Sequence, residues 1–276
     1  MLCFPNCKLN LGLQILGKRE DGFHNLETVF YPLGIHDALE ILLGNKDDRI
    51  SFTQSGLAVE GDVENNICFK AFHLLKKDFP QLGGIRMHLH KAIPMGAGLG
   101  GGSADGAFAL QLLNDIFGLG LNSSQLSGYA LQLGSDCPFF IINKPCFASG
   151  RGELLEPLEL DLSSYKIAVI NPGIHVNTGW AFSQLHKEGL PGAGAGNNTR
   201  QAVQQPISNW KNTLTNDFEK PVFETYPLIK SIKDALYESG AVYAAMSGSG
   251  STVFGIFEQP PAFPQFKDKN WYIRIV

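Results

Sequence analysis

Pro94-Met95-Gly96-Ala97-Gly98-Leu99-Gly100-Gly101-Gly102-Ser103-Ala104 is the stretch on which the reading of the whole chain turns. Before it, Ile85, Met87 and Leu89 alternate with Arg86, His88 and His90, the period of a half-buried strand. After it, Ala107, Leu110, Leu113 and Phe117 recur at helical spacing. Glycines between a strand and a helix let the backbone turn sharply and approach a ligand closely. The N–H groups at the helix start, aided by the helix dipole, then face an anion. A phosphate-binding loop is the functional reading. The plain alternative is a flexible linker or close helix–sheet packing, which the cost of glycine inside a helix (~1 kcal/mol each) weighs against. Gly96, Gly98 and Gly101 fit GxGxxG, but the dinucleotide fingerprint also wants an acid ~20 positions on, and Leu119–Ser124 has none. The P-loop ends in Gly-Lys-Ser/Thr, whereas this loop carries Gly-Gly-Ser. A different phosphate loop is required.

Working outward, Leu9, Leu11, Leu13 and Ile15 alternate with polar or small residues and predict a strand. Lys18–Gly22 closes on Asp-Gly, a hairpin signal. Further strands are expected at Ala38–Leu43, Ile50–Gln54, Lys166–Ile170, Ala241–Met246, Thr252–Phe257 and Trp271–Val276. Helices are expected over Asn66–Asp78, around Leu126–Leu133 with Ser123 or Ser124 near its start, from about Asn177, and over Leu228–Leu236. Cys137–Ile142 reads as a buried extended segment, Asn171-Pro172-Gly173 as a turn, and Pro191–Pro206 as a mobile loop. No internal repeat is present. Hairpins mixed with helices indicate an α+β fold rather than a regular parallel sheet.

Four further groups could carry chemistry. Lys8 and Asn10 share one face of their strand by i, i+2 spacing, which is either a polar site or an ordinary solvent-facing edge. Asp136, in Gly134-Ser135-Asp136-Cys137-Pro138, is a turn or capping residue, or a carboxylate held on a stiff connector. Phe23-His24 follows the Asp-Gly turn. Ser247-Gly248-Ser249-Gly250-Ser251 is either a hairpin turn or a second anion-facing loop near the first.

The 276 residues carry a net charge of −4, with 44% hydrophobic and 17% charged residues. Disorder is excluded by that balance, and a core is affordable at this length. At ~100–200 residues per domain, one large or two modest domains are expected. Charge density rises near Gly150–Leu162, where a soft boundary divides residues 1–155 from 156–276. Scattered Lys and Arg argue against a nucleic-acid surface. No apolar run approaches the ~18–20 residues of a membrane helix. Met1–Asn10 lacks a signal-peptide pattern. The five cysteines are odd in number and lack CxxC spacing, so neither zinc nor a disulfide framework is indicated and a reducing cytoplasm is expected.

In combination and order, these motifs resemble the GHMP kinases, which carry an N-terminal strand with a Lys, a Pro-x-x-x-Gly-Leu-Gly-x-x-Ser loop and a C-terminal glycine-rich loop. The likeness runs from Lys8 to Phe254. Lys8–Leu11, Asp21–His24, Pro94–Ser103, Gly134–Pro138, and Asn171-Pro172-Gly173 with Thr178 and Phe182 match most closely the members whose acceptor carries a cytidine diphosphate group. The resemblance implies a two-domain architecture, an N-terminal ATP-binding α+β domain and a C-terminal ferredoxin-like α+β domain. It implies ATP and Mg2+, a small-molecule alcohol as acceptor, Asp136 as general base and Lys8 as its charged partner. It implies that Pro94–Ala104 hold the triphosphate and that Asn66 and Ile67, with Lys91 nearby, lie at the adenine. Phe23 and Phe182 would flank the cytosine, His24 would bond its polar edge, and Asn10 and Thr178 would contact the acceptor. Three positions depart from the family pattern: Phe23 replaces a usual Tyr, Cys137 a common Val, and the last loop reads Ser-Gly-Ser-Gly-Ser. Other readings are a homoserine- or mevalonate-type kinase of the same family, a non-catalytic ATP sensor, and a dehydrogenase resting on GxGxxG alone.

Overall fold

The computed structural model describes residues 1–44, 50–59, 61–188, 199–267 and 269–276. In chain order its strands are β1 (Leu2–Cys3), β2 (Asn6–Lys18), β3 (His24–His36), β4 (Ala38–Leu43), β5 (Ile50–Gly56), β6 (Ile85–Lys91), β7 (Cys146–Ser149), β8 (Leu154–Pro157), β9 (Lys166–Asn171), β10 (Tyr243–Met246), β11 (Val253–Phe257) and β12 (Tyr272–Ile275). Its helices are α1 (Ile67–Asp78), α2 (Gly101–Phe117), α3 (Ser123–Leu133), α4 (Cys137–Ile142), α5 (Thr178–Glu188), α6 (Thr199–Val203), α7 (Trp210–Thr213), α8 (Glu219–Thr225) and α9 (Pro227–Glu238). The fold is α+β, and the chain divides into two compact units assembled from non-contiguous stretches.

The first unit comprises Met1–Cys7, Gly34–Met95 and Gly100–Lys144. Its sheet runs β1-β4-β6-β5, with β5 parallel to β6 and the other pairs antiparallel. Along β6, Ile85, Met87 and Leu89 are buried while Arg86 and His90 are exposed, the alternation the sequence predicts. Lys91 continues the inward series and is itself buried. Helix α1 turns Cys68, Ala71, Phe72 and Leu75 inward, and Asn66 caps it by accepting the Cys68 N–H at 2.9 Å. Helix α2 is buried on most of its circumference, a wider arc than the stripe expected from Ala107, Leu110, Leu113 and Phe117. Small residues make that possible. A Cβ at Gly106 would come within 2.7 Å of Ile67 Cγ1, so α1 and α2 approach more closely than side chains would allow.

One expectation is corrected in this unit. Cys137–Ile142 is the short helix α4, not an extended segment. A six-residue apolar run has no period to separate the two conformations. Pro138, at the start of the helix, is compatible with its first turn because the missing N–H would be unpaired there anyway. Helix α3 begins at Ser123, but its cap is Asn122, which accepts from Gln125 N at 3.0 Å while Gln125 Oε1 accepts the Asn122 N–H at 3.0 Å.

The second unit comprises Lys8–Leu33, Gly96–Leu99 and Pro145–Val276. One sheet runs β2-β3-β7-β8; the other, β10-β11-β9-β12, is antiparallel throughout. The last strand pairs with β9, with Tyr272 opposite Asn171. Leu13 and Ile15 of β2, Ala168 and Ile170 of β9, Ala181 and Leu185 of α5, Val222 of α8, and Ile229, Ile232 and Leu236 of α9 share one core. The charged stretch Gly150–Leu162 holds the turn and second strand of the β7–β8 hairpin. Of the loop expected over Pro191–Pro206, residues 191–198 lie outside the described residues, and Thr199–Val203 is the helix α6. Among the described residues, no helix is long and apolar enough to cross a membrane.

Candidate active site

Within the second unit, the first glycine-rich loop meets β2 and the β10–β11 turn. Carbonyls of three consecutive residues are drawn onto these neighbours. Ala97 O accepts Thr252 N at 3.3 Å, Gly98 O accepts the Ser247 hydroxyl at 2.8 Å, and Leu99 O accepts Lys8 N at 2.9 Å. In a trans peptide the N–H points opposite to the C=O. The N–H groups of Gly98, Leu99 and Gly100 are therefore turned to the other side, where they donate to no group among the described residues. Row upon row of such outward amides is what an anion binds. The approach demands glycine at Gly98: its φ is +80° and a Cβ would fall 2.0 Å from Ser247 O.

The β10–β11 turn is a hairpin turn, and it lies against the first loop. Buried amides hold it in shape. Asn216 Nδ2 donates to Met246 O and Gly248 O, each at 2.8 Å, and Asn171 Nδ2 donates to Ser251 Oγ at 3.2 Å and Thr252 Oγ1 at 3.0 Å. Asn216 has no motif around it in the sequence; only its buried place reveals the role.

Lys8 and Asn10 are not on a solvent edge. They are 4% and 3% exposed, and Leu9 and Leu11 on the opposite face are fully buried. Lys8 Nζ donates to Asn10 Oδ1 at 2.5 Å and stands 4.6 Å from the centre of the Phe30 ring. Asn10 Nδ2 passes the chain to Thr28 Oγ1 at 3.1 Å, and Asn10 N donates to Ser247 Oγ at 3.2 Å. Bonded to Asn10 and buried, the Lys8 ammonium is held with little side-chain freedom.

The aromatic residues singled out from the sequence have separate partners in this unit. His24 lies flat against Phe182, ring centres 4.3 Å apart and planes 14° from parallel, and Phe218 meets Phe182 edge-on at 4.9 Å. Phe23 is half exposed, with the Arg151 guanidinium 4.5 Å from its ring centre. Its turn is braced by Asp21, which accepts from Phe23 N and Arg19 Nε at 3.1 Å. Those donors hold the Asp21 carboxyl below its usual range against a desolvation that works to raise it. Thr178 is exposed and shares a 2.9 Å hydrogen bond with Ser249.

Within the first unit, α2 starts from Gly100, whose φ of 69° is left-handed. The stretch from Gly100 carries Gly101, Gly102, Ser103 and Ala104 into the first turn, with Met95 half exposed beside Gly102. Asp136 is the residue before α4 and half-buried, and its side chain makes no capping bond there. The capping role open to it from the sequence is thus not the one it plays. Next to it, Cys137 is buried and hydrogen-bonded to Ser103; burial pushes its thiol up to about 12. Asn66 and Ile67 stand at the start of α1, the first as its cap and the second packed on Gly106. Lys91 is wholly enclosed between Asp37 and Asp105, which sequence reasoning missed. The alternation along β6 is the signal that could have found them, because a buried lysine requires acids.

Residues 66–144 match the family described as GHMP kinases N terminal domain, and residues 197–270 that described as GHMP kinases C terminal. A 4-diphosphocytidyl-2-C-methyl-D-erythritol kinase from Parabacteroides distasonis is 47% identical over 265 residues, 96% of this chain and 94% of the relative. One of the same name from Bacteroides fragilis is 50% identical over 258 residues, 93% and 92% of the two chains. A crystal structure of 4-(cytidine 5'-diphospho)-2C-methyl-D-erythritol kinase superposes with a TM-score of 0.79 at 31% identity, covering 93% of this chain and 90% of that one.

Proposed function

The chain belongs to the GHMP kinases, and we propose that it transfers the γ-phosphoryl group of ATP to the 2-hydroxyl of 4-diphosphocytidyl-2-C-methyl-D-erythritol. The single observation in the geometry that carries a kinase reading is the row of amides at Gly98, Leu99 and Gly100, turned away from the carbonyls bound to Thr252, Ser247 and Lys8. The choice of acceptor rests on the near-half identity to relatives of that name along almost their whole length.

In this reading residues 1–155 form the ATP-binding and catalytic portion, and 156–276 the portion that completes the acceptor site. Pro94–Ala104 hold the triphosphate through backbone N–H groups, with Asn66 and Ile67 at the adenine. Phosphoryl transfer asks the protein for positioning and charge neutralisation more than for covalent chemistry. Asp136 takes the proton from the acceptor hydroxyl. Lys8, its side chain fixed by Asn10, stabilises negative charge that develops on the transferring group. Mg2+ would supply further neutralisation of the phosphate charge, with Ser103 as its candidate ligand.

Phe23 and Phe182 flank the cytosine, His24 bonds its polar edge, and Asn10 and Thr178 reach the rest of the acceptor. His24 covers one face of Phe182, so a base that uses that face displaces the imidazole. The enzyme works in a reducing cytoplasm, a placement supported by its five cysteines standing as thiols.

An ATP-consumption assay tests the reading, with 4-diphosphocytidyl-2-C-methyl-D-erythritol run beside mevalonate and homoserine. Turnover on the cytidine compound alone is expected. Turnover on mevalonate or homoserine instead would discard the cytosine slot and keep the family.

A further inference from the structure

We propose that Asp37, Lys91 and Asp105 form a buried clamp that ties the two ends of the glycine-rich loop to one ammonium, which makes them positioning residues for the triphosphate. The inference rests on the reading that Pro94–Ala104 bind that triphosphate. It concerns three side chains that are at most 2% exposed.

Three observations in the first unit converge on it. Lys91 is the last residue of β6 and faces inward; its Nζ donates to Asp37 Oδ2 at 2.5 Å and to Asp105 Oδ2 at 2.7 Å, with all three side chains at most 2% exposed. The other oxygen of Asp37 accepts Ala92 N at 2.6 Å and Ile93 N at 2.9 Å, the backbone that enters the loop. On the exit side, Asp105 belongs to the first turns of α2, and a Cβ on Gly101 would stand 3.4 Å from Lys91 Nζ and 2.8 Å from Ile93 Cγ2. Entry and exit are thus gathered on one cation. Glycine at Gly101 lets the helix start sit on it.

A buried ionic cluster is a poor source of net stability, since apolar side chains of the same volume serve as well. What it supplies is a defined geometry. The charged donor and acceptors fix directions that apolar packing leaves loose. A loop of five glycines has no stiffness of its own, and its amides must be aimed for phosphate binding to be strong. The cluster provides the missing stiffness at both ends of the loop. Burial works to lower the Lys91 amine, but the two carboxylates overcome it and hold the group protonated. The thiols of Cys3 and Cys68, which face the cluster from β1 and α1, are pushed up by burial and remain neutral. Among the described residues, the acids acting on the cation are Asp37 and Asp105, the latter itself raised to about 7 by burial.

Amide hydrogen exchange on the whole protein, without nucleotide and with MgADP, combined with steady-state kinetics, provides the test. The variants are Asp37→Asn, Asp105→Asn and Lys91→Met; the two amides keep the side-chain shape should the methionine variant fail to fold. In Asp37→Asn, exchange over residues 92–104 is expected to accelerate while α3 stays as protected as in wild type. The ATP KM is expected to rise about 10- to 100-fold, the loss that misplaced binding groups bring, with the acceptor KM unchanged. Folded Asp37→Asn and Asp105→Asn proteins with wild-type loop exchange would overturn the clamp. So would an equal rise in both KM values, the mark of general structural damage. If MgADP fails to protect residues 94–104 in wild type, the phosphate-loop reading itself falls, and the proposal with it.

Discussion

Asp136 and Cys137 are sequence neighbours with opposite fates. Asp136 stays half-buried ahead of α4, and its side chain does not cap that helix. In Asp136→Asn, kcat is expected to drop by roughly 10²- to 10⁴-fold with MgADP affinity preserved, since general-base catalysis contributes on that scale. A calorimetric titration beside the turnover assay checks it, and near-wild-type turnover would remove Asp136 as the base. Cys137 is fully buried and its thiol is pushed up to about 12 by desolvation. The thiolate is the reactive form. Iodoacetamide at pH 8 should therefore leave Cys137 unmodified in the folded protein and label it after denaturation, as read by mass spectrometry. Rapid labelling of the native enzyme would contradict the burial. For Lys8 and Asn10, the i, i+2 spacing showed that they share a face but not which way it looks. Only the packing of β2 on both sides settles that.

At the scale of elements, loop and caps separate cleanly into what spacing reveals and what it hides. The strand before the glycine loop and the helix after it are legible from periodicity: β6 buries alternate residues, and the buried arc of α2 includes the expected Ala107, Leu110 and Leu113. The contact of Gly98 with Ser247 is not legible, since the two are far apart in sequence and pair through backbone. Gly98→Ala would force a left-handed φ of +80° on a side chain and drive a Cβ into a carbonyl 2.0 Å away. We expect a measurable loss of stability and at least a tenfold rise in the ATP KM; wild-type KM would mean that the loop does not carry the phosphates. Helix α3 offers a control outside the site. Asn122→Ala removes the side-chain half of its capping box, the bond from Gln125 N, and should cost about 1 kcal/mol in urea unfolding, with ATP KM unchanged. The segment Cys137–Ile142 shows the opposite limit. Six apolar residues fit a strand or a helix equally well, and what decided was the proline at the first turn and the core around it.

On the scale of the molecule, the buried acids set the pH dependence. Burial, with Asp37 adding to it, raises Asp105 from 3.8 to about 7 despite Lys91. The folded state therefore binds a proton that the unfolded chain has released across that window. Stability should decline as pH rises from about 4 towards 7 and level off above it. Asp217, raised by burial against the Ile15 N–H, acts in the same direction. Urea midpoints at pH 4.5, 6 and 7.5 read the slope, and Asp105→Asn should flatten most of it. An unchanged slope in the variant would assign the dependence elsewhere.

The sequence by itself determined the α+β class, most strands and helices, the glycine-rich loop and the family, because these rest on local periodicity and on motifs whose residues are neighbours. Tertiary structure alone decided the inward face of Lys8 and Asn10, the enclosure of Lys91 by Asp37 and Asp105, the support that Asn216 and Asn171 give the β10–β11 turn, and the pairing of the last strand with β9. Those depend on burial and on hydrogen bonds between residues distant in the chain, where desolvation forces each polar group to find its partner and no local pattern records which one it found.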